Sequence, residues 1–377
     1  MKQIEIQEVT GKRLLKTFIR VPWDIYKNDP QWVPPLLMER KEAFSSKHPY
    51  FKHAVWRAWI AYVDGKPVGR ISAQIDELHQ RRYGNKTGFF GLIEAPDDPD
   101  IFTALFKTAE NWLREQGMLR VAGPYNLGIN QEVGILVDGF DTPPCVMTGH
   151  SARYYGAAIE ACGYQQAQDL LAYQLDINTY TSPAFMRDLI DRNSDRINVR
   201  PLQRENRDAD FEEMRNIFND AWQHNWNFVP FTREEFSAIG KELLMVMPDD
   251  FIQIAEIDGE AAAFIVLLPD INEAIADLNG RLLPFGWARL LWRLKVKHPK
   301  AARIPLMGVR QKYQNTIFGP TMAFMLINSV IIPGMSRGGE RVELSWILES
   351  NKPTRNIIEK FGGKLTKRYR MYEKDLG

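Results

Sequence analysis

Two stretches of this chain each occur twice, in the same order and at nearly equal separation. Residues 159–176, IEACGYQQAQDLLAYQLD, align without a gap on residues 358–375, IEKFGGKLTKRYRMYEKD. Ile159/Ile358, Glu160/Glu359, Gly163/Gly362, Tyr173/Tyr372 and Asp176/Asp375 coincide. Upstream, residues 62–76, YVDGKPVGRISAQID, align on residues 256–270, EIDGEAAAFIVLLPD. There Asp64-Gly65 falls on Asp258-Gly259, Ile71 on Ile265 and Asp76 on Asp270. Asp-Gly between apolar runs is by itself an ordinary hairpin signal. Two matches in one order point instead to two copies of one α/β plan.

The 377 residues suit such a pair of domains. The expected bounds are 1–180, a connecting segment at 181–196 with a helix at 183–193, and 197–377. The second copy reads as a strand at 197–202, then a helix at 211–222 carrying Phe211, Met214, Arg215, Phe218 and Trp222 at helical spacing. A second helix at 232–247 opens with a Thr232–Glu235 capping box. A hairpin of 251–257 and 261–268 follows, then a strand at 304–309, a buried helix at 319–332 and a strand at 342–348. A last helix at 351–361 is stopped by Gly362-Gly363.

Composition narrows the function. With 48 Lys+Arg against 47 Asp+Glu the formal net charge is +1, so a bulk electrostatic grip on nucleic acid is not expected. Cys145 and Cys162, the two cysteines, cannot form a disulfide framework, and a reducing, cytoplasmic setting is expected. The N-terminus lacks an apolar signal core, and no window of ~18 uncharged apolar residues is expected to span a bilayer. His48, His53, His79, His150 and His298 show no ligand spacing with Cys or paired acids, so no metal is expected.

The stretch most loaded with chemistry is 307–323, MGVRQKYQNTIFGPTMA. A strand ends, a basic polar loop follows, and a helix starts at Gly319 or Pro320. Free amides at a helix start suit an anion, and Gly319 lets a ligand come close to the backbone. Arg310 and Lys312 add charge, with no acid from Arg303 to Glu340. A plain turn is the alternative.

The order of elements, this loop and residues 342–363 resemble the GCN5-related N-acetyltransferase (GNAT) superfamily. Its phosphate loop, Gln/Arg-x-x-Gly-x-Gly/Ala, matches at Gln314 and Gly319 and departs at Ile317, which replaces the first glycine. Its later Asn-x-x-Ala motif matches at Asn351, with Thr354 for Ala and Ile358 where many relatives carry Tyr. Residues 20–36, RVPWDIYKNDPQWVPPL, and 342–374 resemble more narrowly a bacterial GNAT group that contains YghO-like proteins and bacterial ceramide synthases. The resemblance runs over nearly the whole chain. It implies two tandem GNAT-like units, each a mixed sheet flanked by helices. It also implies transfer of an acyl group from acyl-CoA, acetyl-CoA or acyl carrier protein to a primary amine, for the ceramide synthases a sphingoid base.

On that reading Gly308, Val309, Arg310, Gln314, Asn315, Thr316, Ile317, Phe318 and Gly319 hold the thioester. The corresponding 89–100 stretch carries Glu94, Asp97, Asp98 and Asp100, which would repel a pyrophosphate. The first unit is therefore expected to be a degenerate copy. An attacking amine must lose a proton. Candidate catalytic groups are Glu343, in an otherwise apolar strand, Asn351 and His224. The alternatives are a salt-bridged Glu, a helix cap and a loop residue. Trp222, Trp226 and Phe228 are expected to wall the acceptor. A non-catalytic ligand-binding or regulatory protein on the same scaffold is the alternative function. Transfer from charged tRNA finds little support in the near-neutral charge.

Residues 281–300, RLLPFGWARLLWRLKVKHPK, hold six Lys/Arg and no acid. Trp287, Leu290, Leu291 and Leu294 share a helical face, with Arg289, Arg293 and Lys297 on another. Such a helix suits peripheral contact with the inner membrane face. An apolar face on the core and a basic face in water is the alternative.

Overall fold

A computed structural model describes residues 3–377. The chain divides into two compact units, and neither is one contiguous stretch. The first comprises Met1–Leu171, Ile275–Leu282 and Thr366–Gly377; the second comprises Ala172–Ala274 and Leu283–Leu365. These differ from the contiguous ranges expected from sequence. The C-terminal Thr366–Gly377, placed by sequence in the second domain, falls in the first unit. Strand pairing over this distance leaves no local trace in a sequence.

In the first unit β1 (Ile4–Glu8), β2 (Ala54–Val63), β3 (Lys66–Asp76), β4 (Thr87–Glu94) and β5 (Arg120–Gly123) lie side by side in that order. Two short strands, β6 (Tyr125–Asn126) and β7 (Glu132–Val133), pair with each other, and β8 (Ile135–Asp138) pairs with the closing strand Lys364–Asp375. The closing strand also pairs with β5 and neighbours β9 (Gln165–Asp176). Side-chain alternation covers both faces of this sheet. One face packs Trp59, Ala61 and Ile71 against Phe102, Leu105, Phe106 and Leu113 of the helix Pro99–Glu115. The other packs Ala58 and Ile60 against Phe18 and Ile19 of the helix Gly11–Ile25. On the closing strand, Arg368 and Arg370 reach the buried Asp169 of β9 with hydrogen bonds of 2.8–3.1 Å.

The second unit repeats the plan. Its strands are β10 (Ile197–Pro201), β11 (Ile252–Ile257), β12 (Glu260–Pro269), β13 (Ala301–Val309) and β14 (Arg341–Leu348), paired in chain order. Helices Arg207–Trp222 and Arg233–Val246 precede the hairpin, and the Thr232–Glu235 capping box forms as expected. Phe318–Ser336 and Lys352–Lys360 are the later helices.

The duplication is visible at atomic detail. Both Asp-Gly turns take positive φ at both residues: 50° and 71° at Asp64-Gly65, 51° and 83° at Asp258-Gly259. That is the turn whose twist matches two antiparallel strands. Each hairpin then carries a bulge at the equivalent place, Ala61/Tyr62 and Ala255/Glu256. Asp76 and Asp270 each accept the amide two residues on, Leu78 N at 2.8 Å and Asn272 N at 3.2 Å.

The helix Phe318–Ser336 corrects one expectation: it is uncharged and long enough to cross a membrane by length and composition. Met322, Leu326, Val330 and Ile331 on it are buried within the unit, as a core helix requires. Residues 281–300 form no single helix; Gly286–Trp292 is α-helical and Arg293–Lys297 continues as a π-turn.

Candidate active site

β13 and β14 run parallel but pair only from Ala301/Arg341 to Ile304/Leu344. Pro305 comes next on β13 and has no N–H to carry the ladder on. Past that point the strands part. Pro305, Leu306, Met307 and Val309 on one side, and Trp346, Ile347 and Leu348 on the other, are neither fully buried nor exposed. Parted parallel strands leave backbone donors and acceptors along a slot.

A polar cluster stands where the strands part. Arg303 and Glu343 are register partners across the last paired rungs, with Arg303 Nε 3.9 Å from Glu343 Oε1. Arg303 Nε donates to Ser345 Oγ at 2.8 Å, and Ser345 Oγ donates to Glu343 Oε1 at 2.6 Å. The guanidinium also lies 4.7 Å from the ring centre of Trp346. The Arg303 side chain is 3% exposed and that of Glu343 11%. Glu343 is thus a carboxylate held by a hydroxyl and a buried cation. Sequence reading singled out Glu343 in this strand and overlooked Arg303. A lone cation in the run AARIPLMGV was the available signal.

The 310–319 loop holds a single helical turn, Gln311–Gln314, ahead of the helix Phe318–Ser336. Gln314 Nε2 closes the loop onto Val309 O at 2.8 Å, and Thr316 Oγ1 accepts from Phe318 N at 3.2 Å. Asn315 follows the single turn and donates its amide to Tyr313 O. Gly308 lies buried against Phe264. The amides of Ile317 and Gly319 make no hydrogen bond to the described residues, so two donors stand at the helix start. Gly319 is required by the loop itself. A Cβ there would lie 2.5 Å from Tyr313 O, so the close approach is made by the loop's own backbone. The two cations are tethered: Arg310 reaches Glu213 at 2.9 Å and Ala261 O at 2.8 Å, and Lys312 reaches Glu260 at 2.7 Å.

Trp222 Nε1 donates to Met307 O at 3.0 Å, which fixes the indole against β13. Phe218 stacks on it at 5.1 Å, and Phe228 packs behind, 6.0 Å from Phe218. Trp226 is half-buried, and His224 is exposed in the turn after the helix. His224 is not brought to the Glu343 cluster by any contact. Asn351 caps the helix Lys352–Lys360, its side chain accepting from Thr354 N at 3.3 Å. Among the described residues no group of three or more His, Cys, Asp or Glu gathers as a metal site.

The equivalent slot of the first unit is filled by its own chain. β4 and β5 pair over Thr87–Phe89 and Arg120–Ala122 only. Beyond them the chain at 125–127 inserts: Asn126 Oδ1 accepts from Leu92 N at 2.8 Å, and Gln74 Nε2 donates to Tyr125 O at 2.6 Å. A Cβ on Gly91 would lie 1.9 Å from Tyr125 O, so the strand and the insert touch directly. Two acids of this stretch, Asp98 and Glu94, have partners within the unit. Asp98 caps the helix Pro99–Glu115. Glu94 accepts from Tyr26 and Tyr155 at 2.7 and 2.8 Å, and burial pushes it above the ordinary carboxylate range despite Arg70 at 3.5 Å.

No protein-family model matches the chain. It is 48% identical over 371 residues to Protein YghO of Escherichia coli (strain K12), covering 98% of this chain and 95% of that protein. It is 47% identical over 365 residues to a bacterial ceramide synthase of Caulobacter vibrioides, covering 96% and 95%. Among solved structures it resembles a tandem GNAT protein from the clavulanic acid biosynthesis pathway, with a TM-score of 0.58 at 11% identity over 100% of this chain and 99% of the other. It also resembles the GCN5-related glucosamine N-acetyltransferase region of a fungal multi-domain GH3 β-N-acetylglucosaminidase, with a TM-score of 0.61 at 14% identity over 99% of this chain and 38% of that one. These likenesses establish the tandem GNAT fold.

Proposed function

Because the chain belongs to the GNAT-fold family that includes Protein YghO and the bacterial ceramide synthase, we propose that it is an N-acyltransferase. It moves an acyl group from acyl-CoA, or from acyl carrier protein, to a primary amine of the sphingoid-like lipid class, in the cytoplasm. The observation that carries this reading is the contrast between the two units. β13 and β14 stop pairing at Ile304/Leu344, beside Glu343 and Arg303, whereas beyond the corresponding rungs of the first unit the chain at Tyr125–Leu127 hydrogen-bonds to the strands.

The chemistry follows from the slot. The thioester carbonyl lies between the parted strands, where backbone amides receive the oxyanion. The pantetheine arm leads to the loop 310–319, where the Ile317 and Gly319 amides face the pyrophosphate. Glu343 takes a proton from the ammonium group of the acceptor, and the free amine attacks the carbonyl carbon. The C–N bond forms, the attacking nitrogen gives up its second proton as the C–S bond breaks, and of the two protons one is taken up by the leaving thiolate and the other passes to water, so amide and thiol are released in equal amounts. Trp222 and Phe228 belong to the wall beside β13.

Thermal melting with acetyl-CoA, palmitoyl-CoA and free coenzyme A tests the donor site. A ligand at ~100 times its dissociation constant adds about 2.7 kcal/mol of stability. A shift with palmitoyl-CoA supports a long-chain donor; no shift with any of the three removes coenzyme A as the donor. The tethering of Arg310 to Glu213 and Lys312 to Glu260 favours a second reading, a non-catalytic ligand-binding protein. Amide formation separates the two.

A further inference from the structure

We propose that residues 283–297 are a membrane-docking surface that seats on an anionic lipid bilayer. The proposal rests on what this segment leaves in water. Leu283 is 80% exposed, Phe285 77% and Val296 63%, with Trp287, Leu291 and Trp292 also exposed. Only Leu290 and Leu294, one turn apart, are buried within the unit. Trp287, Leu290, Leu291 and Leu294, expected to share one helical face, are divided: two are buried and two are exposed. The helical turn that buries Leu290 and Leu294 leaves Trp287 and Leu291 outward. A basic face in water over an apolar face on the core does not describe it either, because the outward side is itself apolar and aromatic.

Six exposed large apolar side chains within fifteen residues exceed the scattered surface hydrophobics usual for a globular protein. Their setting selects the occupant. Arg289, Lys295 and Lys297 are exposed among them, and residues 281–300 contain no acid. Aromatic and aliphatic side chains interleaved with cations suit the headgroup boundary of an anionic bilayer, where rings sit at the interface and Lys and Arg reach phosphate. A protein partner of matching shape would need a concave apolar face rimmed by acids; a bilayer offers both without shape. Trp287 Nε1 donates to Pro284 O at 3.1 Å, which presets one ring of the patch.

The test is co-sedimentation of the full chain with vesicles of phosphatidylglycerol and phosphatidylcholine, against vesicles of phosphatidylcholine alone. It needs no turnover, so its failure is distinct from failure of the acyl-transfer reading. Binding to the anionic vesicles, weakened by salt, is expected. The pair Phe285→Ser with Trp287→Ser should lower partitioning about ten-fold or more. The pair Lys295→Glu with Lys297→Glu should do so to a similar extent on anionic vesicles. Both variants alter exposed positions, and unchanged far-UV circular dichroism and melting would show that they fold. Absence of partitioning overturns the proposal, as does partitioning equal to wild type in both variants. A dimer in sedimentation velocity that the Phe285/Trp287 pair abolishes would also overturn it, assigning the patch to a second copy of the chain.

Discussion

Ser345 Oγ donates to Glu343 Oε1 at 2.6 Å, and the same hydroxyl oxygen accepts from Arg303 Nε at 2.8 Å. One strand thus offers its carboxylate at the point where it leaves its neighbour, and the neighbour supplies the cation that orients it. Hydroxyl and guanidinium both approach the same carboxylate oxygen, Glu343 Oε1.

Replacing Glu343 with Gln keeps the shape and removes the base. Turnover should fall by about 10²–10⁴-fold while donor affinity, read by melting with palmitoyl-CoA, changes little. Unchanged turnover would make Glu343 a structural partner of Arg303. Ser345→Ala should give a smaller loss of turnover and cost about 1 kcal/mol of stability.

Gly319 is packed on Tyr313 O, so Gly319→Ala must displace the loop backbone. The expected cost is about 1–3 kcal/mol of stability together with loss of the melting shift produced by coenzyme A. A normal shift in this variant would remove the loop from the donor site.

Trp222→Phe removes the indole donor from Met307 O and keeps the stack on Phe218. About 1 kcal/mol of stability should be lost, and the Michaelis constant for the amine should rise more than the turnover number falls. The reverse pattern would argue that Trp222 acts in the transition state rather than in the wall.

Asp169 ties the closing strand to the first unit. Burial pushes its carboxyl up, but hydrogen bonds from Arg370 and Arg368 outweigh this and hold it below the ordinary carboxylate range. Its contribution is full above the unfolded value of ~3.9 and is lost as the pH falls through the lower folded value. Asp169→Asn should cost about 2–4 kcal/mol at neutral pH, somewhat under a fully buried pair, because the guanidinium groups are partly exposed. The gap from wild type should narrow below about pH 4 in chemical denaturation. A gap independent of pH would show that the charge of Asp169 is not what matters.

The parts of the structure legible in the sequence are those set by local rules. Asp64-Gly65 and Asp258-Gly259 announced their turns, Thr232 and Glu235 their cap, and the internal match announced the duplication. The resemblance carried by residues 20–36 and 342–374 brought the family. What stayed hidden depends on distant partners. Nothing near Tyr372 says that it pairs with β5, and nothing near Tyr125 says that it lies beside β4. Arg303 reads as a surface charge until Glu343 and Ser345 are placed beside it. The outward turn of Trp287 is set by which two leucines find the core, a packing outcome that periodicity alone left open.

The central claim is tested most directly by incubating the protein with palmitoyl-CoA and a long-chain sphingoid base, and measuring amide by mass spectrometry and free thiol by a colorimetric reagent. The account predicts N-acylated base and thiol in equal amounts, with both lost together in Glu343→Gln. Thiol release without amide, or neither product from a protein whose melting shifts with the thioester, would contradict it.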